Sequence, residues 1–248
     1  MSTHERDPGT RPEVAVNFAI TWDGRITTKN RTPSDFSSPR DKRRFLELRA
    51  TADAVLAGVS TIAADNMTMG MPAEDLRKAR LERGQAEYPL RVLLTRSGKI
   101  DPALAIFQHD FAPIHIFSTE QMPADIRRAL QSKATLHLHH GDTVDLHEMM
   151  RVLRADLGVG RLMCEGGAQV FRAILQAGLV DEINTTLCPR IFGSAEAPTL
   201  TGPAGPYLDR SVRCHLENMD VQGEECFLRY RVGAHPERSP VVSAAGPV

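Results

Sequence analysis

"RLMCEGGAQVFRAILQAG", residues 161–178, decides how the chain is read. "RLMCE" (161–165) has the length and apolar content of a buried strand. "AQVFRAILQAG" (168–178) places Val170, Phe171, Ile174 and Leu175 on one helical face before Gly178 closes it. The junction between them is a carboxylate, Glu165, followed by Gly166 and Gly167. A strand that passes through paired glycines into a helix aims free backbone N–H groups at one point, where the helix dipole favours negative charge. The same residues also describe a tight turn that uses glycine for its dihedral freedom. Taken alone, the stretch leaves both readings open.

Outward from it, strands and helices alternate. "VAVNFAIT" (14–21) reads as a strand with Val14, Val16, Phe18 and Ile20 on one face and Ala15, Asn17, Ala19 and Thr21 on the other. "SPRDKRRFLELRATA" (38–52) reads as a helix with Pro39 in its first turn. Residues 53–58, 91–95, 114–118, 135–139 and 161–165 read as further strands. Helices are expected at 123–132, 145–158 and 168–178, and a loop region with a possible helix at 59–86. Beyond 178 the pattern turns to strands at 182–188, about 212–218 and 225–232. The fold class predicted is α/β: one domain over 13–232, with a mixed, mostly parallel sheet flanked by helices and an antiparallel C-terminal edge. The ends, 1–12 and 233–248, read as disordered tails. In such sheets ligands gather beyond the carboxyl ends of the strands, at Asp23–Gly24, Gly58–Asp65, Thr95–Lys99, Ser118–Thr119 and Glu165–Gly167.

Composition narrows the function. Thirty basic residues balance 31 acidic ones, and a net charge of −1 gives no electrostatic case for nucleic acid or a membrane surface. No apolar run approaches the roughly 18 residues of a membrane span. The polar start "MSTHERDPGTRPE" is no secretion signal, so a cytoplasmic location is expected. Cysteines 164, 188, 214 and 226 form no C-x-x-C pair and read as reduced, mostly buried thiols. "HLHH" (137–140) offers two histidines on one strand face without a third ligand nearby, so no metal is expected. Dinucleotide, P-loop, nucleophile-elbow and zinc-deaminase signatures are absent.

Two stretches carry candidate chemistry. "TRSGKI" (95–100) places Arg96, Ser97 and Lys99 directly after a strand, where they can bracket a phosphate monoester such as the 2′-phosphate of NADPH, or form a solvated basic turn. "GVSTIAADN" (58–66) offers Ser60 and Thr61 as helix caps and Asp65 about one turn on, as a proton-handling carboxylate or a plain turn residue.

In order, "TWDGRI" (21–26), "FSS" (36–38), "LRATADAVLAGVSTIAADN" (48–66), "PLRVLLT" (89–95), "EGGAQVF" (165–171) and "GLVDEINTTLCPRIFGSAEAP" (178–198) resemble the riboflavin-biosynthesis reductases, the family of the C-terminal reductase domain of the bifunctional deaminase–reductase. The resemblance implies a dihydrofolate-reductase-like fold for the domain and NADPH-dependent reduction of a ribosylamino-pyrimidine phosphate (5-amino-6-(5-phosphoribosylamino)uracil) to its ribitylamino form, without metal, in a homodimer. It implies cofactor contacts at Gly58, Thr61, Arg96, Ser97, Lys99, Ser118, Thr119, Gly166, Gly167, Gln169 and Val170. It implies substrate contacts at Asn17, Ser37 and Arg49, and catalytic carboxylates at Asp65 and Glu165. The chain departs from the family pattern in "DNMTMGMP": Met67 replaces a proline, and Pro72 stands where an arginine grips the substrate phosphate. Pro33 falls where some members have a phosphate-contacting serine; Arg40, Arg43 and Arg44 are the candidates to compensate. A related reductase of another carbonyl, imine or pterin-like substrate, and a non-catalytic NADPH-binding module, are the alternatives.

Overall fold

The computed structural model describes residues 9–30, 36–202 and 211–233. Most of the two expected tails, and Pro33, lie outside them. The elements are β1 (Glu13–Thr21), α1 (Pro39–Thr51), β2 (Ala54–Gly58), α2 (Val59–Asp65), α3 (Glu74–Glu82), β3 (Leu90–Leu94), β4 (Ile114–Thr119), α4 (Ala124–Leu130), β5 (Thr135–His139), α5 (Leu146–Arg151), β6 (Arg161–Gly166), α6 (Ala168–Gln176), β7 (Glu182–Cys188), β8 (Cys214–Gln222) and β9 (Glu225–Val232). They build one nine-stranded sheet in the order β5-β4-β3-β2-β6-β1-β7-β9-β8. The seven strands from β5 to β7 are parallel, and β9 and β8 close the sheet antiparallel. The mixed, mostly parallel α/β sheet with an antiparallel C-terminal edge is therefore the architecture found.

Three boundaries differ from the sequence reading. Residues 59–86 hold two helices, α2 and α3, in place of a loop with one possible helix. The helix expected over 145–158 is α5 followed by a π-helical turn at Val152–Asp156. Strand β8 runs over 214–222 because a register shift between Leu216 and Asn218 breaks its alternation. Within the expected N-terminal tail, Arg11 is held by a paired hydrogen bond to Asp181 at 2.6 and 2.8 Å.

The central strands are buried on both faces, as parallel strands between helix layers must be. On one face Val14, Val16 and Phe18 of β1 and Leu162 and Cys164 of β6 pack under Phe171 and Ile174 of α6 and Met149, Met150 and Leu153. Phe18 meets Phe171 edge-to-face at 5.2 Å. Burying such an aromatic is worth about 1.5–3 kcal/mol, so this contact fixes where α6 starts relative to the end of β6. On the other face Ala15, Val55, Ala57 and Met163 pack against Ile62 of α2 and Leu130 of α4, with Leu48 of α1 beside them. Cys164 and Cys188 are buried, but Cys226 is half-buried and Cys214 is exposed. The expectation of mostly buried thiols thus fails at the edge hairpin, where β8 has no neighbour on its outer side.

Candidate active site

Strands β2 and β6 are hydrogen-bonded neighbours, and each turns directly into a helix at its carboxyl end. The N-termini of α2 and α6 therefore meet at the same rim of the sheet. Their caps are Gly58 and Gly167, and neither helix has a side chain capping its first N–H groups. Gly166 (φ 149°) and Gly167 (φ 84°) take dihedrals that side-chain-bearing residues rarely adopt. A Cβ on Gly58 would stand 3.0 Å from Val170 Cγ2, and one on Gly167 would stand 3.2 Å from Thr61 Oγ1. Gly58, Thr61, Gly166, Gly167 and Val170 are thus one contact cluster, with Gln169 exposed in the first turn of α6. Thr61 lies inside α2 and faces the glycines; the capping role expected of Ser60 and Thr61 belongs to Gly58 instead. Bare backbone, uncapped N–H groups and two helix N-termini fit a pyrophosphate.

The loop after β3 carries the basic residues further along the rim. Arg96, Ser97 and Lys99 are exposed, and neither Arg96 nor Lys99 has an ion-pair partner among the described residues. Thr119 Oγ1 donates to the Arg96 carbonyl at 2.9 Å and accepts from the Gln121 N–H, so its hydroxyl ties β4 to this loop. Ser118 is fully buried and its hydroxyl has no hydrogen-bond partner among the described residues.

On the α1 side of the sheet the structure joins two residues that lie 116 positions apart. Arg49 Nε and Nη2 donate to the two oxygens of Glu165 at 2.6 and 2.7 Å, and Nη1 donates to the Gly70 carbonyl. The Arg49 guanidinium lies 4.5 Å over the Phe45 ring. Glu165 is an inserted residue in the β2–β6 ladder: Leu56 pairs with Cys164 and Ala57 with Gly166. That bulge re-aims the carboxylate just before the glycine turn. Asn17, almost fully buried, pairs with Asn184 on β7 and follows Val16, the partner of Cys164 on β6. Asp65 stands exposed at the end of α2, where Asn66 takes a left-handed turn. Partial burial still holds its carboxyl above the usual range. Ser37 precedes the α1 cap, Ser38, whose hydroxyl accepts from the Asp41 N–H.

Several partnerships at this rim escape the sequence reading. Glu225 at the start of β9 accepts from the Ser38 N–H at 2.9 Å and from its hydroxyl at 2.5 Å, fastening the start of α1 to the edge hairpin. Burial and the nearby Glu225 and Asp41 push the Cys188 thiol up to about 12, so it stays protonated. Asp23 accepts from Thr21 Oγ1 and from the N–H groups of Phe192 and Gly193, which hold its carboxyl down to about 2. It is a clasp between the loops after β1 and β7. Of the candidate compensating arginines, Arg43 is committed to Glu47 and Asp75. His137 finds His115 of β4 at 3.1 Å, a neighbour that the spacing in "HLHH" does not reveal. Among the described residues no group of three or more His, Cys, Asp or Glu is placed to hold a metal ion, and no helix is long and apolar enough to cross a membrane.

A parallel sheet whose carboxyl rim sets glycine-lined, uncapped helix N-termini beside a buried Arg–Glu pair defines an α/β protein with a rim suited to an anionic ligand. More specifically, the chain belongs to the family of the RibD C-terminal domain, whose model matches residues 12–227. It is 30% identical over 223 residues to the 2,5-diamino-6-ribosylamino-4(3H)-pyrimidinone 5′-phosphate reductase of Methanothermobacter thermautotrophicus, covering 90% of this chain and 99% of that one. The Archaeoglobus fulgidus protein of the same name is 29% identical over 214 residues, covering 86% of this chain and 95% of that one. Among solved structures, a pyrimidine reductase-like protein from Corynebacterium diphtheriae superposes with a TM-score of 0.78 at 21% identity, covering 92% of this chain and 94% of that one, and shares the fold.

Proposed function

We propose that this protein is an NADPH-dependent oxidoreductase of riboflavin biosynthesis that reduces a ribosylamino-pyrimidine 5′-phosphate to its ribitylamino form. The observation that carries the reading is the uncapped, glycine-lined N-terminus of α6, set one residue beyond the buried Glu165–Arg49 pair. The names of the two archaeal relatives favour a 2,5-diamino-pyrimidinone ring over the uracil ring of the initial resemblance.

Gly58, Thr61, Gly166, Gly167, Gln169 and Val170 form the pyrophosphate cradle, and Arg96, Ser97 and Lys99 take the 2′-phosphate. Ser118 and Thr119 shape the rim between them. When bound, NADPH supplies a hydride to C1′ of the ring-opened sugar. Asp65 supplies the accompanying proton, directly or through a water, and its raised pKa suits that task. Glu165 keeps both oxygens on Arg49, so it acts as an anchor for the guanidinium. The pairing leaves N–H groups on Nη1 and Nη2 of Arg49 to meet the substrate beside Asn17 and Ser37.

The protein works as a cytoplasmic homodimer with its reductase domain over 13–232. Support for the dimer comes from the edge hairpin. Leu216, Met219 and Val221 of β8 are exposed, and β-ladder pairing puts them on one face with Cys226, Leu228 and Tyr230 of β9. An apolar edge of this kind calls for a partner. The test of function is NADPH oxidation with the ribosylamino-pyrimidinone 5′-phosphate. Consumption matched by ribitylamino product supports the reading, and none at saturating cofactor overturns it. Trp22, the single tryptophan and 69% exposed beside this rim, gives an independent fluorescence readout of binding.

A further inference from the structure

A cavity of about 430 Å³ opens between the start of α1 and the carboxyl end of β7, with Ser37, Arg40, Arg190, Gln222, Glu224 and Glu225 among its walls. We propose that this groove takes the substrate's phosphate monoester, with Arg40 and Arg190 as its ligands and Arg44 as the charge behind them. The proposal deepens the reductase reading and rests on it.

The arginines of this region divide into two groups. Arg43 and Arg49 are neutralised by carboxylates. Arg40, Arg44 and Arg190 have no carboxylate partner among the described residues. Both walls are fixed. The Trp22 N–H donates to the Arg190 carbonyl at 2.8 Å, pinning that residue to the end of β1. Glu225 is occupied by the Ser38 N–H and hydroxyl, which hold the start of α1. Arg44 lies one helical turn beyond Arg40 on the same face of α1, with its guanidinium 5.2 Å over the Phe227 ring. Its Nε is buried without a hydrogen-bond partner among the described residues. Thr186, which pairs with Phe227 across the ladder, is fully buried, and its hydroxyl is also unpartnered. Arg44 and Thr186 lie behind the cavity wall; the arginines that line it are Arg40 and Arg190, and phosphate oxygens are acceptors that arginine binds strongly.

The groove belongs to the substrate side. Strand β7 is two places from β6 and three from β2, about 10 and 14 Å at the spacing of neighbouring strands, so a phosphate here is distinct from those of the cofactor cradle. Ser37 sits in its wall, and α1, which starts there, carries Arg49 further along.

The test compares the ribosylamino-pyrimidinone 5′-phosphate with its dephosphorylated nucleoside. Arg40→Ala and Arg190→Ala should each raise KM for the phosphate ester about tenfold or more, the loss of one charge-assisted contact. KM for the nucleoside and for NADPH should not move, nor should kcat at saturation. Glu224→Gln, which removes a carboxylate from the wall, should lower KM for the phosphate ester. Equal losses on both substrates, or a rise in KM for NADPH, would overturn the assignment. If the wild type turns over neither substrate, the functional reading fails instead. The groove is then tested by titrating ribose 5-phosphate and following Trp22 fluorescence. A saturable change that Arg40→Ala/Arg190→Ala abolishes supports the site, and no saturable change in the wild type refutes it.

Discussion

Glu165→Gln is the most informative single substitution, because it separates a buried anchor from a free catalytic acid. The Glu165 side chain is 0% exposed and that of Arg49 is 7% exposed. Their two N···O contacts are 2.6 and 2.7 Å. With charge centres about 4 Å apart and an effective dielectric near 20, the attraction is about 4 kcal/mol. Removing one partner of a buried pair costs about 3–5 kcal/mol, since the other charge is left uncompensated. Glutamine keeps one acceptor oxygen, which places the loss near the lower bound, about 3 kcal/mol. For a chain of this size that is a fall in Tm of about 6–12 °C. Thermal unfolding followed by circular dichroism measures it, with urea titration as a second route. Arg49→Met combined with Glu165→Leu should regain much of the loss, because a volume-conserving apolar pair no longer buries a lone charge. A Tm for Glu165→Gln within about 2 °C of wild type would refute the buried-anchor argument.

Asp65→Asn should lower kcat by about 10²–10⁴-fold, the range for loss of a general acid, while NADPH affinity stays within about twofold in a fluorescence titration. Partial burial raises the Asp65 carboxyl in the folded state, so its contribution to stability is complete below the unfolded pKa and is lost as pH rises through the folded value. Asp65→Asn should therefore gain stability over wild type at neutral pH, a gain that shrinks to nothing in acid; an equal difference at both pH values would contradict the sign. Replacing Arg96 and Lys99 with Ala should weaken NADPH binding at least tenfold and leave NADH nearly unchanged, measured as KM for each cofactor. Gly167→Ala forces a side chain into a left-handed backbone against Thr61 and should cost about 1–2 kcal/mol and raise KM for the cofactor. Met219→Lys with Val221→Lys should convert the proposed dimer to monomer by light scattering.

Much of the fold was legible because its signals are local. Strands β5, β7 and β9 fall where alternation and flanking turns place them, and α1 is announced by Ser38 and Pro39. Strand β8 extends past the 212–218 that the pattern suggests because Met219 and Val221 are apolar yet exposed, and a bulge interrupts the alternation. The glycine cradle was half legible. "EGG" showed an anion site or a turn, and only the neighbouring β2–α2 turn, with Gly58 against Val170, joins Thr61 to it. Pairings between distant positions left no local trace. Nothing in the spacing joins Arg49 to Glu165 across 116 residues, or Ser38 to Glu225 across 187. Both follow from the strand order, which brings β6 and β9 to the side of α1 only after the sheet has closed.

The rim of β6 and β1 is a reducing site for a phosphorylated ribosylamino-pyrimidine only if the protein turns that substrate over. The direct measurement is a stoichiometric assay with purified protein, NADPH and the ribosylamino-pyrimidinone 5′-phosphate. It follows the cofactor by absorbance and the sugar chain by mass spectrometry. The prediction is one ribitylamino product, two hydrogens heavier than the substrate, for each NADPH oxidised, with Asp65→Asn binding cofactor but forming almost none. Saturable NADPH binding without any product at high substrate would contradict it.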